Sequence, residues 1–181
     1  MKESLSLELA TRPEALVWTE TVLLAIINVV ALFGNLLTCY AVYRKQSLRT
    51  VPNLFVVALG LSDILVSTFC MPFSVSTLFN GHWLFGARFC RLHGFGVFTF
   101  SLASLQTMGI IAVSRYFCVV KPERYSVLLK KQKSLMYVAV VWCVALFGSV
   151  PPLFLKTGGF EFQPGKAMCL YSFESKVAYT V

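Results

Sequence analysis

Charge is scarce in this chain. Of its 181 residues only 13% are charged and 57% are hydrophobic, against about 25% and roughly 45–50% in an ordinary soluble domain. A fold wetted on every side is excluded. Acid is scarcer than base: eight Asp+Glu stand against sixteen Lys+Arg, for a net charge of +8. A nucleic-acid-binding domain would gather such a surplus on one soluble face. Here it falls in short clusters between long apolar runs, so no nucleic-acid partner is expected. There are two histidines, His82 and His93. Both lie near predicted interfaces, and no Cys/His group has zinc-ligand spacing, which argues against an enzyme. Six cysteines are too few for a disulfide scaffold at this length, so each must be judged by its place. No interval repeats, as the paired halves of many transporters would, and Asp63 stands alone among charges in the apolar interiors. A four-helix transporter or channel subunit is therefore disfavoured.

What the chain has is long apolar runs. Val22 to Tyr43 carries no charge, Pro52 to Phe79 carries only Asp63, and Leu92 to Val113 and Ser134 to Leu155 carry none. A hydrocarbon core of about 30 Å is crossed by roughly 20 such residues in a helix. The reading is an all-α membrane protein with spans at about 18–43, 52–79, 87–120 and 132–155. A fifth, incomplete span is expected at 175–181, as in a truncated product, and residues 1–17 form a tail ahead of the membrane domain 18–181. The leader is acidic (Glu3, Glu8, Glu14, Glu20), unlike the basic start of a signal peptide. Basic residues of short loops stay cytoplasmic. Arg44, Lys45 and Arg49, then Lys121, Arg124, Lys130, Lys131 and Lys133, put those loops inside and the N-terminus outside, at the plasma membrane. Arg88, Arg91, Lys156, Lys166 and Lys176 on the other side make the asymmetry modest.

After the fourth span, Phe160-Glu161-Phe162, Pro164-Gly165 and Ala167 to Tyr171 read as strand, turn, strand. Pro then Gly suits the centre of a type II turn. The expected product is a β-hairpin over the outer mouth of the bundle. Pro72 and the pair Pro151-Pro152 are expected to bend or end the outer parts of their helices.

A carboxylate at mid-span costs about 2.5–3.5 kcal/mol on insertion scales, so Asp63 reads as part of a polar pocket. Asn35 lies at a similar depth in the first span, where a hydrogen bond to a neighbouring helix is the plainer account. Steps of seven residues drift only about 20° around a helix, which puts Cys90, Val97, Ser104 and Ile111 on one stripe to which Arg115 returns. Cys90 and Arg115 are then about 37 Å apart, near opposite faces of the bilayer. If the two helices face each other, Ser104 offers a hydroxyl to Asp63 and makes an oxygen site for Na⁺ or a proton. The plainer alternative is a serine filling a close helix contact. Cys90 and Cys169 are the cysteines expected at the outer surface, where disulfides persist. Pairing them would close a loop worth about 4 kcal/mol in the chain-entropy model. Cys39, Cys70, Cys118 and Cys143 read as small apolar fillers.

Together, Gly34-Asn35, Leu59 to Asp63 (LGLSD), Trp83, Cys90, Ser114-Arg115-Tyr116, Pro122, Trp142, Pro151 and Cys169 resemble the rhodopsin-like (class A) G-protein-coupled receptors. They recur in order on the right predicted helices. The resemblance implies the first four helices and the start of the fifth of a seven-helix bundle. It implies that Asp63, Ser104 and Asn35 form a sodium pocket, with no other cofactor, and that Cys90–Cys169 is the outer disulfide. It further implies that Ser114, Arg115, Tyr116 and Pro122 belong to the switch that meets a heterotrimeric G protein. Trp83, Trp142 and Pro151 are structural. The expected wall of a small-ligand pocket is Met71, Val97, Phe98, Ser101, Leu170 and Tyr171. Ser114 departs from the family's acidic residue before the arginine, and Val97 stands where amine receptors carry an aspartate. The stretches Pro52 to Leu61, Phe79-Asn80-Gly81 and Cys169 to Val181 are similar to melatonin receptors, which bind a neutral indole. Alternatives are an opsin-like or peptide receptor, or a non-signalling fragment that dimerises with full receptors.

Overall fold

The computed structural model describes residues 2–150 and 158–173. Four helices in it are long and apolar enough to cross a membrane: Glu14–Arg44, Val51–Asn80, Gly86–Val120 and Lys131–Ser149. They are labelled α2 (Glu14–Arg44), α3 with α4 (Val51–Leu65 and Met71–Asn80), α5 (Gly86–Val120) and α7 (Lys131–Ser149). Two shorter helices complete the set, α1 (Lys2–Ala10) in the expected tail and α6 (Pro122–Leu128) where a loop was expected. The helix that carries the first span begins at Glu14. Pro151, the end of the fourth span and the incomplete fifth span at 175–181 lie outside the described residues.

The buried positions of the spans are mostly small. They include Ala58, Gly60 and Ser62 on α3, Thr99, Ala103, Thr107 and Ser114 on α5, and Ser134, Ala145 and Ser149 on α7. Lipid tails are as apolar as leucine, so helices there associate by close backbone approach rather than by hiding bulky residues. The large side chains turn outward accordingly: Phe33, Leu37 and Phe147 are 66%, 67% and 76% exposed. Several buried hydroxyls return to their own helix, as Thr107 does to Ala103 O at 2.7 Å and Ser149 to Ala145 O at 2.6 Å. The helix α5 is central, packing on α3, α7 and both strands, while α2 packs on α3 and α4.

Between α3 and α4 the chain makes a π-helical turn, Val66–Cys70. Pro72 has no N–H to give and its ring crowds the carbonyl one turn back, so the expected bend appears as this widened turn. Widening releases carbonyls from the regular ladder, and neighbouring spans take them. Asn28 Nδ2 donates to Ser67 O at 3.2 Å and His93 Nε2 to Cys70 O at 3.1 Å. Gly81 closes α4 in the left-handed region (φ 72°), and a Cβ there would lie 3.0 Å from Ala10 Cα, so α1 can seat against it. Arg12 fixes that seat. Its Nε donates to Leu9 O at 3.1 Å, its Nη2 to Leu78 O at 2.6 Å, and its Nη1 pairs with the Glu20 carboxylate.

The expected hairpin is present, with β1 (Gly158–Gln163) antiparallel to β2 (Met168–Phe173) and Gln163 opposite Met168. Its turn corrects the type II expectation. Four residues rather than two are left between the strands; Pro164–Lys166 forms a 3₁₀ turn, and Ala167, not Gly165, takes the positive φ of 51°. Longer hairpin loops are commonly built around such a turn. Phe160 is buried at 3% exposure while Glu161 is exposed, as strand alternation requires. The Cys90–Cys169 disulfide joins β2 to α5 with Cα atoms 5.5 Å apart, across 79 residues of sequence.

The seat of the hairpin is Gly94, where a Cβ would lie 2.7 Å from the Phe160 ring and 2.8 Å from its Cβ. Gly94→Ala should therefore cost about 1–3 kcal/mol as an overpacked contact and lower the melting temperature in detergent. Phe160→Leu should recover part of the loss. At Gly159, where a Cβ meets nothing within 4 Å, alanine should be near neutral; equal effects at the two glycines would refute the seat.

Candidate functional site

The polar cluster at mid-bundle is built by α3 and α5. Ser104 Oγ lies 3.0 Å from Asp63 Oδ1 and 2.9 Å from Ser62 Oγ. Ser62 spends its proton on Leu59 O, 2.8 Å away on its own helix, so its oxygen faces Ser104 as an acceptor. Ser104 has one proton for two acceptors, and the carboxylate is the stronger. Three oxygens thus converge with lone pairs to spare. Asn35 is one turn away: its Nδ2 donates to Ala31 O at 2.9 Å, and its Oδ1 would lie 3.4 Å from a Cβ built on Gly60. Ser62, in the LGLSD motif, was not singled out by sequence; its hydroxyl beside a mid-span aspartate was the available signal.

At the other end of α5, Ser114 is buried and its hydroxyl has no partner meeting hydrogen-bond geometry. The Tyr125 phenol on α6 lies close to it. Partial burial and then Cys118 raise that phenol's pKa, and Arg115 and Ser114 pull it the other way. Arg115, Tyr116 and Pro122 are exposed, with Pro122 opening α6. Arg115 has no carboxylate partner among the described residues.

At the hairpin end, Phe98 meets Phe160 at 6.3 Å between ring centroids and Phe160 meets Tyr171 at 5.9 Å. Met71, Val97, Leu170 and Tyr171 are half-buried around them, and Ser101 is exposed a turn deeper. Behind this wall sits a group that sequence placed only at an interface. His93 is buried, with Ser74 Oγ 3.5 Å from its Nε2 and the Trp83 ring edge-on to it at 5.1 Å between ring centroids. Trp83 also meets Phe85 and Phe162, at 5.3 and 6.2 Å, and donates to Gly86 O at 2.9 Å. It is the hub of an aromatic cluster. Trp142 packs beside Ala103, Val141 and Ala145. Among the remaining cysteines Cys70 is buried and Cys39 half-buried, but Cys118 and Cys143 are exposed, which corrects their reading as fillers.

A family model described as "7 transmembrane receptor (rhodopsin family)" matches residues 34–181. The chain belongs to the rhodopsin family of seven-transmembrane receptors. It is not an enzyme. Among relatives of this family, G protein-coupled receptor 161 of Bos taurus is 36% identical over 162 residues, covering 90% of this chain and 30% of that protein. Melatonin receptor type 1A of Ovis aries is 32% identical over 170 residues, 94% and 46% of the two chains. Octopamine receptor beta-2R of Chilo suppressalis is 34% identical over 145 residues, 76% and 37%. The chain thus spans about a third to a half of the relatives' length. The crystal structure of squid rhodopsin superposes with a TM-score of 0.77 at 24% identity, over 90% of this chain and 46% of that one, and shows the shared fold.

Hydrogen bonds to charged acceptors contribute roughly 1.5–3 kcal/mol. Ser104→Ala should therefore destabilise the detergent-solubilised chain by about that much in thermal melting. Ser62→Ala, which removes a hydroxyl bonded to its own helix, should cost clearly less. Equal losses would contradict the Ser104–Asp63 bond.

Proposed function

We propose that these spans form the ligand-facing and transducer-facing part of a plasma-membrane receptor for a small extracellular ligand, coupled to heterotrimeric G proteins. The N-terminus and hairpin lie outside. The observation that carries this reading is α5 itself: a disulfide at one end, the Asp63–Ser104 oxygens midway, and the exposed Arg115 at the other. The two ends are about 37 Å apart at 1.5 Å per residue, enough to connect two aqueous compartments. The basic clusters Arg44, Lys45, Arg49 and Lys130, Lys131, Lys133 sit at the Arg115 end and favour it as cytoplasmic.

The proposed ligand is small and neutral, in the manner of the indole that melatonin receptors bind. Val97 offers no carboxylate to an ammonium, and the surrounding Met71, Phe98, Leu170 and Tyr171 are apolar or aromatic, as small-ligand pockets usually are. Similarity to an octopamine receptor by itself supplies no counter-ion. The oxygens of Asp63, Ser104 and Ser62 suit Na⁺, a hard cation. Replacing Na⁺ by choline at constant ionic strength should lower the melting temperature of the chain, and Asp63→Asn should abolish the difference. A cation-independent melt would remove the sodium reading.

Ser114 leaves Arg115 without the neighbouring acid that would hold it inward. The resting state is accordingly less firmly latched. In a chimera of this chain with the C-terminal half of the ovine melatonin receptor type 1A, Ser114→Asp should lower basal G-protein signalling at equal surface expression. Unchanged or higher basal signalling would count against the proposal.

A further inference from the structure

Two hollows on the outward side of the second and third spans share a wall. One, of about 400 Å³, is an apolar groove between the π turn with α4 on one side and α5 on the other, walled by Phe69, Leu92, Phe95 and Phe100. Its volume falls in the range of small-molecule sites. The other, of about 490 Å³, is lined by Arg88, Arg91, Leu92 and Phe95. These four recur at i, i+3, i+4 and i+7, so they form one stripe of α5. Arg88 and Phe95 are about 10 Å apart along the helix axis. Two guanidinium groups therefore stand at the hairpin end of a stripe that runs directly down into the groove. Phe69 and Leu92 are 62% and 63% exposed, so the groove opens away from the bundle, on the surface that a spanning helix turns to hydrocarbon.

Arginine at such a height is ordinarily tied to the protein or to a headgroup. Arg12, at the same end of the bundle, is tied three ways. Arg88 and Arg91 make neither a salt bridge nor a side-chain hydrogen bond among the described residues. Guanidinium groups bind phosphate oxygens through paired, charge-assisted hydrogen bonds, and the apolar groove below has the chemistry of an acyl chain. Charge above and hydrocarbon below match one molecule.

We propose that this face binds a membrane glycerophospholipid of the hairpin-side leaflet. Its phosphate lies on Arg88 and Arg91, and one acyl chain runs past Leu92 and Phe95 into the groove toward Phe69 and Phe100. The inference rests on the membrane spans and does not depend on which ligand or G protein the receptor serves. The groove's back wall includes Cys70 and His93, so the bound chain braces the π turn from outside while His93 holds it from within.

Trp83 is the reporter. Its ring lies 6.3 Å from Phe89 and 5.1 Å from His93, both of which line the groove. In the full chain with Trp18→Phe and Trp142→Phe, held in neutral maltoside micelles, Trp83 fluorescence is followed on adding lipids with brominated acyl chains. Phosphatidylglycerol and phosphatidylcholine should quench it saturably, and a brominated galactosyl diacylglycerol, which lacks phosphate, only at much higher mole fraction. Arg88→Gln with Arg91→Gln should raise half-saturation by about tenfold or more, the equivalent of losing charge-assisted bonds. Gly96→Leu should remove the saturable component without touching charge. A Cβ at Gly96 meets Cys70 Sγ at 3.5 Å and Phe100 Cε2 at 3.6 Å, ordinary contacts, so the variant can fold while its side chain fills the groove. Equal quenching by all three lipids, or curves unmoved by the arginine substitutions, would overturn the proposal. Competition by inorganic phosphate would assign the arginines to a soluble anion instead and overturn it equally.

Discussion

The second span is broken within the membrane, and the rest of the hairpin-side architecture depends on how that break is closed. In hydrocarbon an unsatisfied backbone polar group costs several kcal/mol, so the π turn that accompanies Pro72 at Val66–Cys70 is tolerated because other helices supply donors. Asn28 of the first span and His93 of the third take Ser67 O and Cys70 O. Three helices are joined by this repair. His93 is flanked by Gly94, which admits Phe160, and by Cys90 one turn earlier, which holds Cys169. The position of the hairpin, and with it the wall of the proposed ligand pocket, follows from the same turn of α5.

Toward the other end, the bundle is held by close approach rather than by bulk. Ala103, Val141 and Ala145 form the small core between the third and fourth spans. Beside that packing, the half-buried Asp63 carboxylate is accommodated by Ser104, which Ser62 in turn meets. The helix α5 carries all three features in a single rigid element. A change felt at the disulfide end or at the oxygen cluster has a direct mechanical route to Arg115, although a route is not yet a coupling energy.

Family membership was legible because its signals are local. A mid-span aspartate, a cysteine at the start of the third helix and an arginine at the end of the third apolar run are each a single residue at a fixed spacing along one helix. The spans themselves follow from hydropathy, since any helix in lipid must satisfy its own backbone. Less legible were Ser62, His93 and Arg12, because their importance comes from partners tens of residues away: Ser104, Cys70 and Leu78. The turn was misread for a similar reason. Pro164-Gly165 is locally a good type II pair, but pairing Gln163 with Met168 leaves four residues to bridge, and Ala167 takes the left-handed conformation.

By itself, then, the sequence determined how many described helices cross the membrane, which residues in them are chemically out of place, and that a hairpin follows. These depend on transfer free energy and helical period, which are properties of a segment. Only the tertiary structure decided which carbonyls Asn28 and His93 close, that Gly94 is the seat of Phe160, and that among the described residues Arg12 is tied while Arg88 and Arg91 are not. Those outcomes depend on which helix faces which, and the rotation of a helix about its axis is set by small-residue contacts with its neighbours rather than by anything in its own composition.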